Sequence, residues 1–72
     1  MKEKRKLSRE QVGVLCEYLD LLQNGYTEMF QFIGEAIWMF KLRHIYNGRV
    51  LTIVWTPKTA CLKEGKKVLK EF

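Results

Sequence analysis

Two runs rich in β-branched and aromatic residues, 39–46 and 49–56, flank the dipeptide Asn47-Gly48. No other feature narrows the folding of this chain so far. A type I′ turn needs positive φ at both central residues, which Gly accepts freely and Asn tolerates, so Asn-Gly between such runs predicts a β-hairpin. A two-residue turn would set the register, pairing Tyr46 with Arg49, His44 with Leu51, Leu42 with Ile53 and Phe40 with Trp55. Directly paired residues project to the same side. One face then collects Phe40, Leu42, Leu51, Ile53 and Trp55. The other carries Met39, Lys41, Arg43, Ile45, Val50, Thr52, Val54 and Thr56, and is mixed and basic.

A chain of 72 residues with 47% hydrophobic content is expected to form one small domain with its own core. Residues 8–72 are assigned to that domain, and residues 1–7 to a basic flexible arm containing Lys2, Lys4, Arg5 and Lys6. The charged N-terminus is followed by no apolar stretch of signal-peptide type, and the most apolar window, 29–40, contains Gln31 and Glu35. A cytoplasmic protein with no membrane partner is the expectation. Cys16 and Cys61 have no Cys or His at ligand spacing, so they read as buried reduced thiols, and neither a metal nor a cofactor is expected.

Charge is segregated along the chain. Residues 11–40 hold four acids and no Lys or Arg, whereas residues 41–72 hold eight Lys or Arg and two Glu, and the net charge is +5. Such a distribution gives an oriented surface that suits nucleic acid or another acidic partner.

From the N-terminus, Ser8 and Gln11 form a capping-box start, and Val12, Leu15, Cys16, Leu19 and Leu22 recur at helical spacing, with Tyr18 beside them. Residues 9–23 are therefore expected to be helical, ending at Asn24-Gly25, with Glu10, Gly13, Glu17, Asp20 and Asn24 on the solvent side. Residues 27–38 are ambiguous. As a helix capped by Thr27, they place Glu28, Gln31 and Glu35 on one side and Phe30, Ile33, Ala36, Ile37 and Phe40 on the other; as a strand, their aromatic content and Gly34 fit a bulged or turning segment. After Thr56-Pro57, residues 58–72 read as a closing helix, with Cys61, Leu62, Gly65, Val68, Leu69 and Phe72 inside and a ridge of Lys63, Lys66, Lys67 and Lys70 outside. The expected fold class is α+β: an N-terminal helix, an ambiguous second element, the Asn47-Gly48 hairpin and a C-terminal helix packed on one sheet face.

The order strand, Asn47-Gly48 turn, strand, then a helix bearing Lys58, Ala60, Gly65, Lys66, Lys67 and Leu69 resembles the second half of a double-stranded-RNA-binding domain, which implies an αβββα fold and phosphate contacts from that helix. His44-Ile45-Tyr46 is similar to the strand histidine of HicA-type toxin ribonucleases, which share that fold; the resemblance implies a catalytic His44. With 27–38 helical, the element order could also be read as a winged helix-turn-helix.

No glycine-rich phosphate loop, nucleophile triad or paired carboxylate site is present, so a non-enzymatic role is expected. The leading expectation is a small binding module that contacts nucleic-acid backbone, RNA or DNA, through Lys41, Arg43, Arg49, Lys58, Lys63, Lys66 and Lys67. The alternative is a protein-interaction module, a homodimer or an inhibitor of a larger partner, with Phe32, Trp38, Met39, Ile45, Val50 and Val54 as interface. A small toxin-type ribonuclease, with His44 as acid or base beside Arg43 and Arg49, ranks third.

Overall fold

The computed structural model describes residues 6–72; of the expected arm, positions 1–5 lie outside the described residues. The described residues form one helix, α1 (Arg9–Gln23), and five strands, β1 (Tyr26–Ile33), β2 (Trp38–His44), β3 (Val50–Trp55), β4 (Ala60–Glu64) and β5 (Lys67–Glu71). The strands make an antiparallel meander in the order β1-β2-β3-β4-β5, and α1 packs on one face against β1, β3 and β4. The opposite sheet face has no layer over it among the described residues.

The capping box at the start of α1 is complete. Ser8 Oγ accepts from the Gln11 amide at 3.1 Å, and Gln11 Oε1 accepts from the Ser8 amide at 2.8 Å. The face that α1 buries is not the one its apolar spacing suggests. Val14 and Leu21 are buried, with Leu15 and Tyr18 packed against the same core, while Val12, Cys16 and Leu19 face away. The buried stripe is rotated by roughly 100°, one residue's turn of the helix, from the expected one. In this orientation Phe72 packs over Gly13 and Lys70 Nζ reaches Glu17 at 3.2 Å, so residues expected in solvent meet the C-terminal strand.

Residues 26–33 are a strand, which overturns the helical alternative for 27–38 and with it the winged helix-turn-helix order. The strand is bulged at Met29, between the pairs Glu28–Leu42 and Phe30–Lys41. The bulge explains why simple alternation fails there: it lets Glu28 face the helix while Phe30 and Phe32 both face away from it.

The larger correction concerns residues 58–72, which form the β4–β5 hairpin rather than a closing helix, so the helix-on-sheet layout and the αβββα order do not hold. Gly65 has φ 63° and is the first residue of a two-residue loop between the paired Glu64 and Lys67. Positive φ at that position alone is the requirement of a type II′ turn, and a left-handed residue cannot lie within an α-helix. Pro57 opens no helix either. It occupies the second position of a turn closed by the Thr59 amide on the Thr56 carbonyl at 3.2 Å, where its fixed φ is equally suited. Tertiary demand favours strands here, since without β4 the apolar β3 would present an open edge.

The β2–β3 hairpin forms, but its register differs from expectation by two residues. Leu42 pairs with Leu51, Phe40 with Ile53 and Trp38 with Trp55, leaving a four-residue loop, 45–48, between His44 and Arg49. Only Gly48 has positive φ there (74°), so the turn is not type I′. Competing acceptors stabilise the longer loop: His44 Nδ1 accepts from the amides of Tyr46 and Asn47, and Asn47 Oδ1 accepts from the Arg49 amide at 2.9 Å. A shift of two preserves facing, and Phe40, Leu42, Leu51, Ile53 and Trp55 are all buried beneath α1. Burial of each large member contributes about 1.5–3 kcal/mol.

Candidate nucleic-acid interface

The uncovered sheet face follows from the pairing. In β2, Trp38, Phe40 and Leu42 fill the core, so the intervening Met39, Lys41 and Arg43 are directed to the other side. Pairing carries this facing across the sheet. One row runs Phe32, Met39, Val54, Cys61 and Glu71; the next runs Phe30, Lys41, Thr52, Lys63 and Val68; a third holds Thr27, Arg43 and Val50. The first row is mostly apolar and the second mixes two cations with an aromatic ring. Met39, Val50, Thr52 and Val54 are half-buried, and Lys41, Arg43, Phe30 and Phe32 are exposed.

The helix side is mixed in sign, its acids standing among Arg9, Arg49, Lys67 and Lys70. Glu10, Glu17 and Asp20 lie on α1, and Glu28 lies on the helix face of β1, where its carboxylate accepts the Tyr18 hydroxyl. That bond holds the Tyr18 hydroxyl above its usual pKa, with burial and the nearby negative charge adding to the effect. Lys70 on this side pairs with Glu17 at 3.2 Å.

The seven cations expected to form one surface are divided by the β4–β5 hairpin. Lys41, Arg43 and Lys63 share the open face. Arg49, at the loop end of β3, makes a bidentate pair with Glu64, Nε to Oε2 at 3.0 Å and Nη2 to Oε1 at 2.8 Å. These hydrogen bonds hold the Glu64 carboxyl below its ordinary pKa and raise that of the guanidinium. Lys58 lies in the β3–β4 turn, Lys66 in the β4–β5 turn, and Lys67 pairs with Glu64 at that turn's base. The expected lysine ridge therefore does not exist as one stripe, because in a hairpin Lys63 and Lys67 fall on opposite faces.

Of the residues expected at a protein interface, Phe32, Met39, Val50 and Val54 lie on the open face. Ile45 is exposed in the hairpin loop, and Trp38 is buried with 8% exposure, its ring 5.4 Å from that of Trp55. His44 lies on the helix side with its ring edge-on to Tyr26 at 4.8 Å and against Gly25, its Nδ1 occupied by the two loop amides. Cys61 is buried on a strand and Cys16 is exposed on α1; both are free thiols.

Comparison with protein-family models, curated proteins and solved structures finds no match. What the face can do is therefore argued from its own chemistry. Among the described residues no group of three His, Cys, Asp or Glu could hold a metal ion, and no helix is long and apolar enough to cross a membrane. A cleft of about 340 Å³ lies between Ser8, Glu10, the β3–β4 turn and Phe72, with Glu10 and Lys58 as its charged groups. Ser8 Oγ is occupied there as the helix cap.

Sequence reasoning missed Phe30 as a member of this face. Its signal was present in the alternation of Phe30 and Phe32, and only the bulge at Met29 hid it.

Proposed function

We propose that the chain is a small non-enzymatic binding module whose open sheet face engages the phosphate backbone of nucleic acid. The observation that supports this most is the asymmetry of charge across the sheet. Among the described residues Lys41, Arg43 and Lys63 stand on one side with a single carboxylate, Glu71, at its margin, whereas on the other the acids of α1, Glu28 and Glu64 stand among Arg49, Lys67 and Lys70. Among the described residues the ion pairs are Arg49–Glu64 and Lys70–Glu17, so none of these three cations is tied to a carboxylate. Free cations on one side meet a polyanion by releasing its condensed counterions, which makes affinity fall steeply with salt. Titrating the protein with mixed-sequence RNA and DNA at increasing salt tests the reading. Salt-dependent binding is expected; absence of binding at low salt, or an affinity insensitive to salt, would remove it.

A second reading, a protein-interaction module, has support from a different surface. Val12 and Leu19 are 46% and 55% exposed, and with Cys16 they make an apolar stripe on the solvent side of α1. Sedimentation over a range of concentrations tests its homodimer form, and a monomer at every concentration ends that form.

A further inference from the structure

We infer that the nucleic acid taken by the open face is single-stranded, with its bases stacked on Phe30 and Phe32 and its phosphates held by Lys41, Arg43 and Lys63. This rests on the backbone-binding reading above and goes beyond it, since charge alone does not separate a single strand from a duplex.

The aromatic rings carry the argument. Phe30 and Phe32 are 48% and 49% exposed on an edge strand, and the pairing of Phe30 with Lys41 places a cation beside a ring. The Phe32 ring is held in place without being covered: it fills the space above Gly34, where a Cβ would lie 2.8 Å from its Cε2 atom. Exposed rings next to free cations are what an unpaired strand uses, because each base offers a π-face and each nucleotide a phosphate. Met39 and Val54, half-buried beside them, continue the apolar floor under the stacked bases.

Dimensions keep this face out of the major groove of an undeformed duplex, which would meet it only through outer phosphates and leave Phe30 and Phe32 without a base. Five strands at about 4.8 Å spacing span about 19 Å, whereas a major groove about 12 Å wide admits at most a two-stranded ribbon. Along β1, residues i and i+2 are about 6.6 Å apart, roughly twice the ~3.4 Å rise of stacked bases. Two rings at that separation meet neighbouring bases only in a stretched strand.

Charge also separates this occupant from a second copy of the chain. A twofold contact through the same face would press together two surfaces that each carry Lys41, Arg43 and Lys63 and offer Glu71 as carboxylate. A polyanion meets no such repulsion.

The test uses the full chain and three probes: an oligothymidylate of about 12 nucleotides, a mixed-sequence duplex of the same length, and heparin as a polyanion without bases. The single strand is expected to bind most tightly. The double variant Phe30→Leu, Phe32→Leu is expected to lose about tenfold or more of that affinity while its binding to heparin is unchanged. Phe30→Tyr with Phe32→Tyr keeps both rings and is expected to retain single-strand binding. Near-ultraviolet dichroism of the buried Trp38 and Trp55 reports the fold of each variant. Equal affinity for duplex and single strand, a leucine variant that binds oligothymidylate as well as the parent, or a folded tyrosine variant that loses as much as the leucine one would each overturn the single-strand inference and leave the backbone reading standing. No binding to any of the three probes at low salt would remove both.

Discussion

Replacing Gly65 by Ala separates a hairpin from a helix over residues 58–72 by the sign of the stability change. In a helix interior Gly costs about 1 kcal/mol relative to Ala, so the substitution would stabilise. At φ 63°, with open space around the position, no contact enters the comparison and only the backbone matters. An L-residue in the left-handed region costs about 1–2 kcal/mol, and the smaller entropy of the unfolded Ala chain returns about 0.4–1 kcal/mol. A net destabilisation of about 1 kcal/mol is expected, which lowers Tm by about 4–8 °C in a domain of this size. A D-alanine in place of Gly65 prefers positive φ and is expected to stabilise by about 0.4–1 kcal/mol. Urea unfolding of both variants, with m unchanged, is the assay. If the L-alanine variant gains stability and the D-alanine variant loses it, the II′ turn and the β4–β5 hairpin are wrong.

Further outcomes follow from the face and its supports. Changing Lys41, Arg43 and Lys63 together to Gln is expected to reduce the slope of log K against log salt for a single strand by about 2, and a slope unchanged by the triple variant would place the phosphate contacts elsewhere. Gly34→Ala displaces the exposed Phe32 ring and brings the new Cβ to 3.3 Å from the Ile37 carbonyl oxygen, so a destabilisation of about 1 kcal/mol is expected together with a fall in oligothymidylate affinity; unfolding and binding measured on the same sample compare the two. Tyr18→Phe keeps the ring 4.7 Å from Phe40 and removes the bond to Glu28, at an expected cost of about 0.5–1.5 kcal/mol. Because the Tyr18 pKa is raised above 10.0, its contribution is complete below that pH and lost as pH rises through the folded value, so the variant should lack this alkaline step in a stability profile. Glu64 behaves oppositely: its pKa is lowered from 4.5, so the contribution of its pair with Arg49 is present above that pH and lost as pH falls through the folded value, and Glu64→Gln should flatten the acid limb. The pair is exposed, so added salt should shrink the difference.

Much of the architecture was legible wherever a local rule had no competitor. The Ser8–Gln11 box set the start of α1, and the even-numbered apolar residues of β2 marked the core face. The misreadings came where two periods fit the same residues. Cys61, Leu62, Gly65, Val68 and Leu69 lie at spacings that suit a helix, yet Gly65-Lys66 between two short β-capable runs is also a II′ signal, and the need to pair β3 decided between them. The apolar stripe of α1 misled for a related reason: Val12 and Leu19 look like core residues, yet Phe72 and Lys70, distant in sequence, meet the helix at Gly13 and Glu17. The Asn47-Gly48 turn was misjudged because His44 competes for the loop amides.

The candidate site survives these errors because its central part depends on parity and not on register. Sliding β2 against β3 by two residues changes every partner and leaves Lys41 and Arg43 opposite to Phe40 and Leu42. A slip of one would have turned the cations onto α1, whose own acids would then neutralise them. The segregation seen along the chain, acids in 11–40 and cations after it, is carried across the sheet in part: α1 and the helix face of β1 carry acids and alternate positions of β2 and β4 put Lys41, Arg43 and Lys63 on the open face, while Lys67 and Lys70 fall on the helix side. Phe30 joins the open face through the extra residue at Met29. Without that bulge Glu28, Phe30 and Phe32 would share one side, and the open face would either lose both rings or gain a carboxylate beside its cations.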